Sequence, residues 1–453
     1  MSTYQIRDFG AVGDGLHLET AKIQAAVDLA ANNGGGTVVF SAGRYLSGTI
    51  VLRDNITMRL ERGSEIIGSP NIQDYITDNS FIFPRWYLIA GKNIKNISIE
   101  GGGTINGNGE AFREKEINEV NGRFTLKPER PRGIYFNQSE NIRIEGVIIC
   151  DTPCYSIWLH GCRSMAINGV VIRNNRRHGT SDGIDIDCCE NVMVSNCDIN
   201  AGDDCIALKN DACRLGKKMN CERIVINNCI LSTRAAAIRI GYESDGGHIR
   251  DCTFNNLVIN EASRGLLLQS LALPEFEKTR VAGTRIENIA VSNVTLRDVL
   301  CPLFIFANKG QNGYIRQVNL SNWSGESAVG AYIGAYEKGI IEDIYLTNMR
   351  LRIAKEIIAL SPAEAIAASR LHVLAYKQPE AQEERDLYPN NPEGNGFALP
   401  YGLALRHVSN IHLRDFSIIN PARKRDEKGA LRWLGVKTLN IDGKNIKTEN
   451  GSI

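Results

Sequence analysis

One short pattern recurs along the chain and limits its architecture more than any other feature: apolar–x–apolar–x–(Asn or Gly)–apolar–x–apolar. It runs from Ile142 to Ile149 around Gly146, from Met165 to Ile172 around Gly169, and from Val192 to Ile199 around Asn196. It returns around Asn228, Asn256, Asn293, Asn322, Asn348 and Asp415. Successive centres lie 23 to 37 residues apart until a last interval of 67. Alternation of period two means strands with one face in and one face out. A turn residue between two such strands marks a corner, and Asn there tolerates left-handed backbone angles. Repeats of this length without a helical pattern inside them predict a β-solenoid, whose coils must stack because none can bury its inner face alone. An antiparallel sandwich is the other reading, but hairpin dipeptides between neighbouring runs are scarce.

The pattern is absent at the start. Thr20 to Ala31 reads as an amphipathic helix with Ile23, Ala26, Val27 and Ala30 on one face, followed by strands at Thr37–Phe40 and Thr49–Leu52. We therefore expect one all-β domain over residues 1–453, with residues 1–65 as an N-terminal cap and first strands. The long interval contains an interruption at residues 353–400, expected to be a lid or groove wall.

Composition excludes some functions. With 52 Lys and Arg against 51 Asp and Glu, no basic excess points to nucleic acid. No apolar run is long enough for a transmembrane helix, so no membrane partner is expected. The residues after Met1 contain no signal-peptide core, which predicts a cytoplasmic protein unless an export signal has been removed. The twelve cysteines show no CxxC spacing. They are read as small apolar residues stacked within the repeat, and no metal or other cofactor is expected. Oligomeric state is not readable.

The chemistry lies in two acidic segments, Thr180-Ser-Asp182-Gly-Ile-Asp185-Ile-Asp187 and Ala201-Gly-Asp203-Asp204-Cys-Ile-Ala-Leu-Lys209. Aligned by their apolar alternation, Asp182 matches Asp204, about one coil later. Asp182, Asp203 and Asp204 should then cluster on adjacent rungs, where like charge holds a proton on one carboxyl while a neighbour stays ionised. Glycoside hydrolysis needs such a pair, an acid for the leaving oxygen and a base for water. A Ca²⁺ site would also suit clustered oxygens. The alignment continues through Ala236 and Arg264, and places Asp185, Ala207, Arg239 and Leu267 in a second column, with Lys209 beside Asp187 in a third. Arg239 and Lys209 are candidates to hold a substrate carboxylate or sulfate, or else to pair with Asp185 or Asp187. His178, Tyr242 and Glu243 are further candidates for sugar contact, with a plain surface role as the alternative for each.

At these residues the sequence resembles the family 28 glycoside hydrolases, the polygalacturonase-like enzymes. Gly202-Asp-Asp-Cys-Ile-Ala-Leu-Lys209 carries the likeness most specifically. Asp8-Phe-Gly-Ala-Val-Gly-Asp-Gly15, Gly102-Gly-Thr-Ile-Asn-Gly-Asn-Gly109 and Leu399-Pro-Tyr-Gly-Leu-Ala-Leu-Arg-His407 support it. The resemblance implies a single-stranded right-handed parallel β-helix of the pectin-lyase-like kind, and hydrolysis with inversion. It implies that Asp203 is the general acid and that Asp182 with Asp204 activates water. Two family motifs are replaced: Gly-His-Gly by Ala235-Ala236-Ala237, and Arg-Ile-Lys by Leu267-Leu268-Gln269. The expectation is an inverting, end-wise hydrolase of acidic, pectin-type oligosaccharides. A Ca²⁺-dependent polysaccharide lyase with Arg239 as base and a non-catalytic sugar-binding solenoid are the competing readings.

Overall fold

The computed structural model describes residues 2–79, 85–118, 123–271, 282–307, 312–335, 339–354, 402–419, 430–447 and 450–453. Successive turns of chain lay short strands on three faces, each strand pairing in parallel with its counterpart one turn later. Lys95–Gly101, Glu140–Glu145, Arg163–Asn168 and Glu190–Ser195 form one face. Thr104–Asn106, Ile148–Cys150, Val171–Arg173 and Asp198–Ala201 form the second. The third comprises Arg85–Lys92, Pro131–Asn137, Ile157–His160, Ile184–Asp187, Ile206–Lys209 and Ala236–Ile240. Further on the strands fuse, and His248–Ser270 pairs with Arg285–Ala307 along almost their whole length. The chain is a right-handed parallel β-helix.

Register follows from inward columns. Ile97, Ile142, Met165, Val192, Ile224, Cys252, Ile289, Val318, Ile344, Ile411 and Leu439 stand above one another. All are buried. Each large aliphatic side chain contributes about 1.5–3 kcal/mol by leaving water. A one-residue slip would turn the column to solvent, which fixes the stacking. The corners adopt the expected conformation: Asn196, Asn228, Asn256, Asn293, Asn322, Asn348 and Asp415 have positive φ, as do Gly146 and Gly169. Their side chains bond from coil to coil, Asn322 to Asn293 at 3.0 Å and Asn348 to Asn322 at 2.8 Å. A second left-handed corner escaped the sequence reading. It passes through Asn96, Asn141, Asn191 and Asn288, but Ser164, Arg223, Asp251 and Gln317 occupy the intervening coils and hide the repeat.

The N-terminal helix spans Thr20–Asn32, one residue past its expected end, and buries Ile23, Ala26, Val27 and Ala30 completely. It packs on the first coils beside Gly36–Phe40 and Ile50–Val51, the latter shorter than the strand expected over 49–52. At the other end Leu439–Ile441 pairs antiparallel with Lys444–Ile446, and Leu431–Leu434 with Gly451–Ser452, which ends the parallel ladder. The lid or groove wall expected at 353–400 lies outside the described residues apart from Ile353 and Ala354. All twelve cysteines are unpaired, and all but Cys150 and Cys213 are buried. Among the described residues no helix is long and apolar enough to cross a membrane.

Candidate active site

The acids sit where the third face meets the turn before it. Ile184–Asp187, Ile206–Lys209, Ala236–Ile240 and the end of His248–Ser270 are successive rungs. Asp185, Ala207, Arg239 and Leu267 share one column, as the alignment predicts, and Asp187 stands beside Lys209. The Gly183 N–H donates to the Asp204 carbonyl at 2.8 Å, which ties Asp182 to the rung of Asp204. Asp203 comes close because the turn at Gly202 runs against the preceding one. A Cβ at Gly202 would lie 2.3 Å from the His178 carbonyl oxygen and 2.3 Å from the Ser181 hydroxyl, so only glycine fits. On the other turn Thr180 has a φ of 68°, a costly region for a β-branched residue. That backbone aims the Thr180 N–H at Asp203 Oδ2, 2.9 Å away.

The three carboxylates differ in surroundings. Asp182 is buried, and its pKa is driven well above the ordinary value by burial first, then by Asp185, Asp203 and Asp204, against the pull of Lys209. Asp204 is also buried and raised by burial. It accepts the Ala236 N–H at 3.0 Å and an Arg239 Nη1 hydrogen bond at 2.8 Å, both of which oppose the rise. Asp203 is more open, with its side chain 18% exposed, and Arg123 Nη1 lies 3.1 Å from its Oδ2. Burial and mutual repulsion favour keeping a proton within the set, and that proton belongs to the cluster more than to one residue. An acid and a base then exist side by side.

Two candidate cations are occupied. Lys209 Nζ lies 2.7 Å from Asp185 Oδ1, 2.8 Å from Glu243 Oε2 and 3.8 Å from Asp182 Oδ2, wholly inside the protein. Arg239 holds Asp204, reaches Gln269 Oε1 at 3.3 Å, and stacks on Tyr242 with 4.2 Å between guanidinium carbon and ring centre. The ion-pair alternative is thus what forms, with Asp204 in place of the expected Asp185 or Asp187 as the partner of Arg239. Glu243 lies beside the acids as a structural anion, taking hydrogen bonds from Lys209 and the Tyr155 hydroxyl. Tyr242 supports Arg239. His178 corrects the sequence reading more sharply. Its ring is fully buried against Phe124, 3.4 Å from Glu110 Oε1 and 3.7 Å from Asp151 Oδ1, and presents no surface to a sugar.

The sequence reading missed Arg123, Tyr155 and Arg132. Arg123 belongs to an antiparallel excursion of Arg113–Asn118 and Arg123–Leu126 between coils, outside any repeat that could have pointed to it. Among the described residues, the groups whose ligand atoms converge as a metal would require are His160/Asp187/Cys188 and Glu110/Asp151/His178. The acid trio is not one of them, which weakens the Ca²⁺ reading of those three residues.

A three-faced parallel β-helix carrying buried acids on one face defines a solenoid with a carboxylate site. The comparisons narrow the class. The model of glycosyl hydrolases family 28 matches residues 54–221. A Vitis vinifera "Probable polygalacturonase" is 28% identical over 324 residues, 67% of this chain and 63% of that protein. A Gossypium barbadense polygalacturonase is 25% identical over 315 residues, 64% of this chain and 75% of that protein. The chain spans less than two thirds of the first curated relatives, 63% and 60% of their lengths. In fold it is similar to the family 28 exopolygalacturonase of Yersinia enterocolitica, with TM-score 0.72, 19% identity, and 98% of this chain and 79% of that one covered. It is also similar to the hyperthermoactive exopolygalacturonase of Thermotoga maritima, with TM-score 0.56, 16% identity and coverage of 100% and 95%. The chain is thus similar to glycosyl hydrolases family 28 over residues 54–221, and to polygalacturonases in sequence.

Proposed function

We propose that the protein hydrolyses O-glycosidic bonds of acidic, pectin-type oligosaccharides, acting end-wise and with inversion. The convergence of Asp182, Asp203 and Asp204 carries this reading, since burial favours a proton within the set while Arg123 and Arg239 favour ionisation of part of it. In this scheme Asp203, the most open of the three, protonates the leaving oxygen. Asp182 and Asp204 orient water, and Asp204, paired with Arg239, takes its proton. Arg123 holds Asp203 until a sugar displaces it, and the loss of that cation raises the affinity of Asp203 for the proton it must deliver. The polygalacturonase and exopolygalacturonase names among relatives and fold neighbours support the substrate class and the end-wise action. Arg239 has its guanidinium committed to Asp204 and Gln269, which leaves the lyase reading without its base.

The test is a product screen on oligogalacturonates of defined length, with the anomer followed by NMR during the first turnovers. Release of monosaccharide with inverted configuration is expected, and Asp203→Asn should remove it. Unsaturated products absorbing in the ultraviolet, or retained configuration, would overturn the mechanism.

A further inference from the structure

Acidic substrates need a cation, and Arg239 and Lys209 beside the acids are already matched. Arg239 is neutralised by Asp204, and Lys209 by Asp185 and Glu243. The family's Arg-Ile-Lys cations are Leu267-Leu268-Gln269 here, and Leu267 lies in an apolar patch with Phe304 and Tyr332. On that side the remaining cation is Arg264, one rung beyond Ala236, 4% exposed, with Nη1 donating to the Ser263 carbonyl at 3.0 Å and its guanidinium carbon 5.7 Å from the Phe304 ring centre.

The N-terminal side holds a second buried cation, set over aromatic rings. Arg132 stands one rung from Tyr155, and Tyr155 one rung from Asp182, because Ile134 pairs with Ile157 and Ile157 with Ile184. Two rungs place it about 9.6 Å along the solenoid from Asp182. Only 8% of Arg132 is exposed. Its guanidinium carbon lies 5.4 Å from the Tyr155 ring centre and 5.6 Å from that of Trp158. Its Nε is buried without a hydrogen-bond partner, and among the described residues no carboxylate pairs with it. Aromatic contact offsets only part of the cost of burying an unpaired guanidinium. Neighbours register the excess positive charge. Burial and then Arg132 lower the pKa of Arg85, and Arg132 with Arg130 draws the buried Cys154 thiol below its usual value although burial opposes this.

We propose that Arg132 receives a carboxylate of the substrate, so that a uronic acid residue occupies the groove on the N-terminal side of the acid cluster. The assignment rests on the glycosidase reading of the three acids and places an anion-binding position on the coils before them. Its planar fork suits a carboxylate in two-point contact, and the rings beneath it hold that fork in place.

Binding to the Asp203→Asn protein separates this claim from turnover. Trigalacturonate and its methyl ester are titrated calorimetrically into Asp203→Asn alone, and combined with Arg132→Gln or Arg132→Lys. The acid should bind more tightly than the ester. Arg132→Gln should weaken the acid about 10- to 100-fold and leave the ester unchanged, which also reports that the fold survives. Arg132→Lys should recover part of the loss. Equal weakening of acid and ester by Arg132→Lys, no effect of Arg132→Gln, or no binding of the acid to Asp203→Asn would each overturn the inference. Arg132-dependent binding in a protein that cleaves no oligogalacturonate would retain it and discard the hydrolase reading. Cleavage by an Arg132→Gln enzyme with unaltered KM would do the reverse.

Discussion

Replacing Arg239 by alanine tests whether the buried ion pair sets the proton balance of the cluster. Arg239 Nη1 lies 2.8 Å from Asp204 Oδ2, and the two side chains are 5% and 2% exposed. At an effective dielectric near 20 their attraction is about 6 kcal/mol. Desolvation offsets much of this, and orphaning a buried partner typically costs about 3–5 kcal/mol. Asp204 is already pushed upward by burial, with Arg239 the strongest force against it. Without Arg239 it takes up its proton at higher pH. If Asp204 must be ionised to accept a proton from water, the acid limb of kcat/KM moves to higher pH, and the rate at mildly acidic pH falls by at least about tenfold. Initial rates across the acid-to-neutral range, with urea unfolding of the same protein, measure both effects. Arg239→Lys should retain most of the profile. A stability loss of the expected size with an unmoved acid limb would refute the role given to Asp204. An unchanged urea midpoint would refute the pair itself.

Arg123→Gln removes the cation from Asp203. The alkaline limb of kcat/KM should move to higher pH, because the acid then keeps its proton longer, and a fixed limb in the rate profile would count against Asp203 as acid. Burial raises Asp185 from 3.8 to about 7, against the pull of Lys209. Its folded pKa exceeds the unfolded one, so its stabilising contribution is full below about pH 4. That contribution is lost as pH rises through about 7. Asp185→Asn should flatten that part of the stability profile read by urea midpoints. Asn322 has a φ of 58° and bonds Asn293 at 3.0 Å. Asn322→Ala should cost about 2 kcal/mol in urea unfolding through left-handed strain and the lost bond, and Asn322→Gly less than half of that.

The alternation and its corner residues determine the solenoid, because each apolar position specifies a face and each Asn or Gly a turn. The same alternation fixes register, and register alone carries Asp182 to the rung of Asp204 and Arg239 below Ala207. Side-chain partners are not contained in it. Lys209 and Arg239 are legible as cations near the acids, yet their neutralisation by Asp185, Glu243 and Asp204 depends on rotamers and depth of burial. His178 sits four residues before Asp182 in sequence, but the turn folds its ring inward against Glu110 and Asp151. Arg123 and Arg132 reach the site from other coils, 59 and 50 positions before Asp182 in the chain. Stacking coils joins residues distant in sequence at about 4.8 Å per rung, so the charge balance of the groove exists only once the coils are stacked.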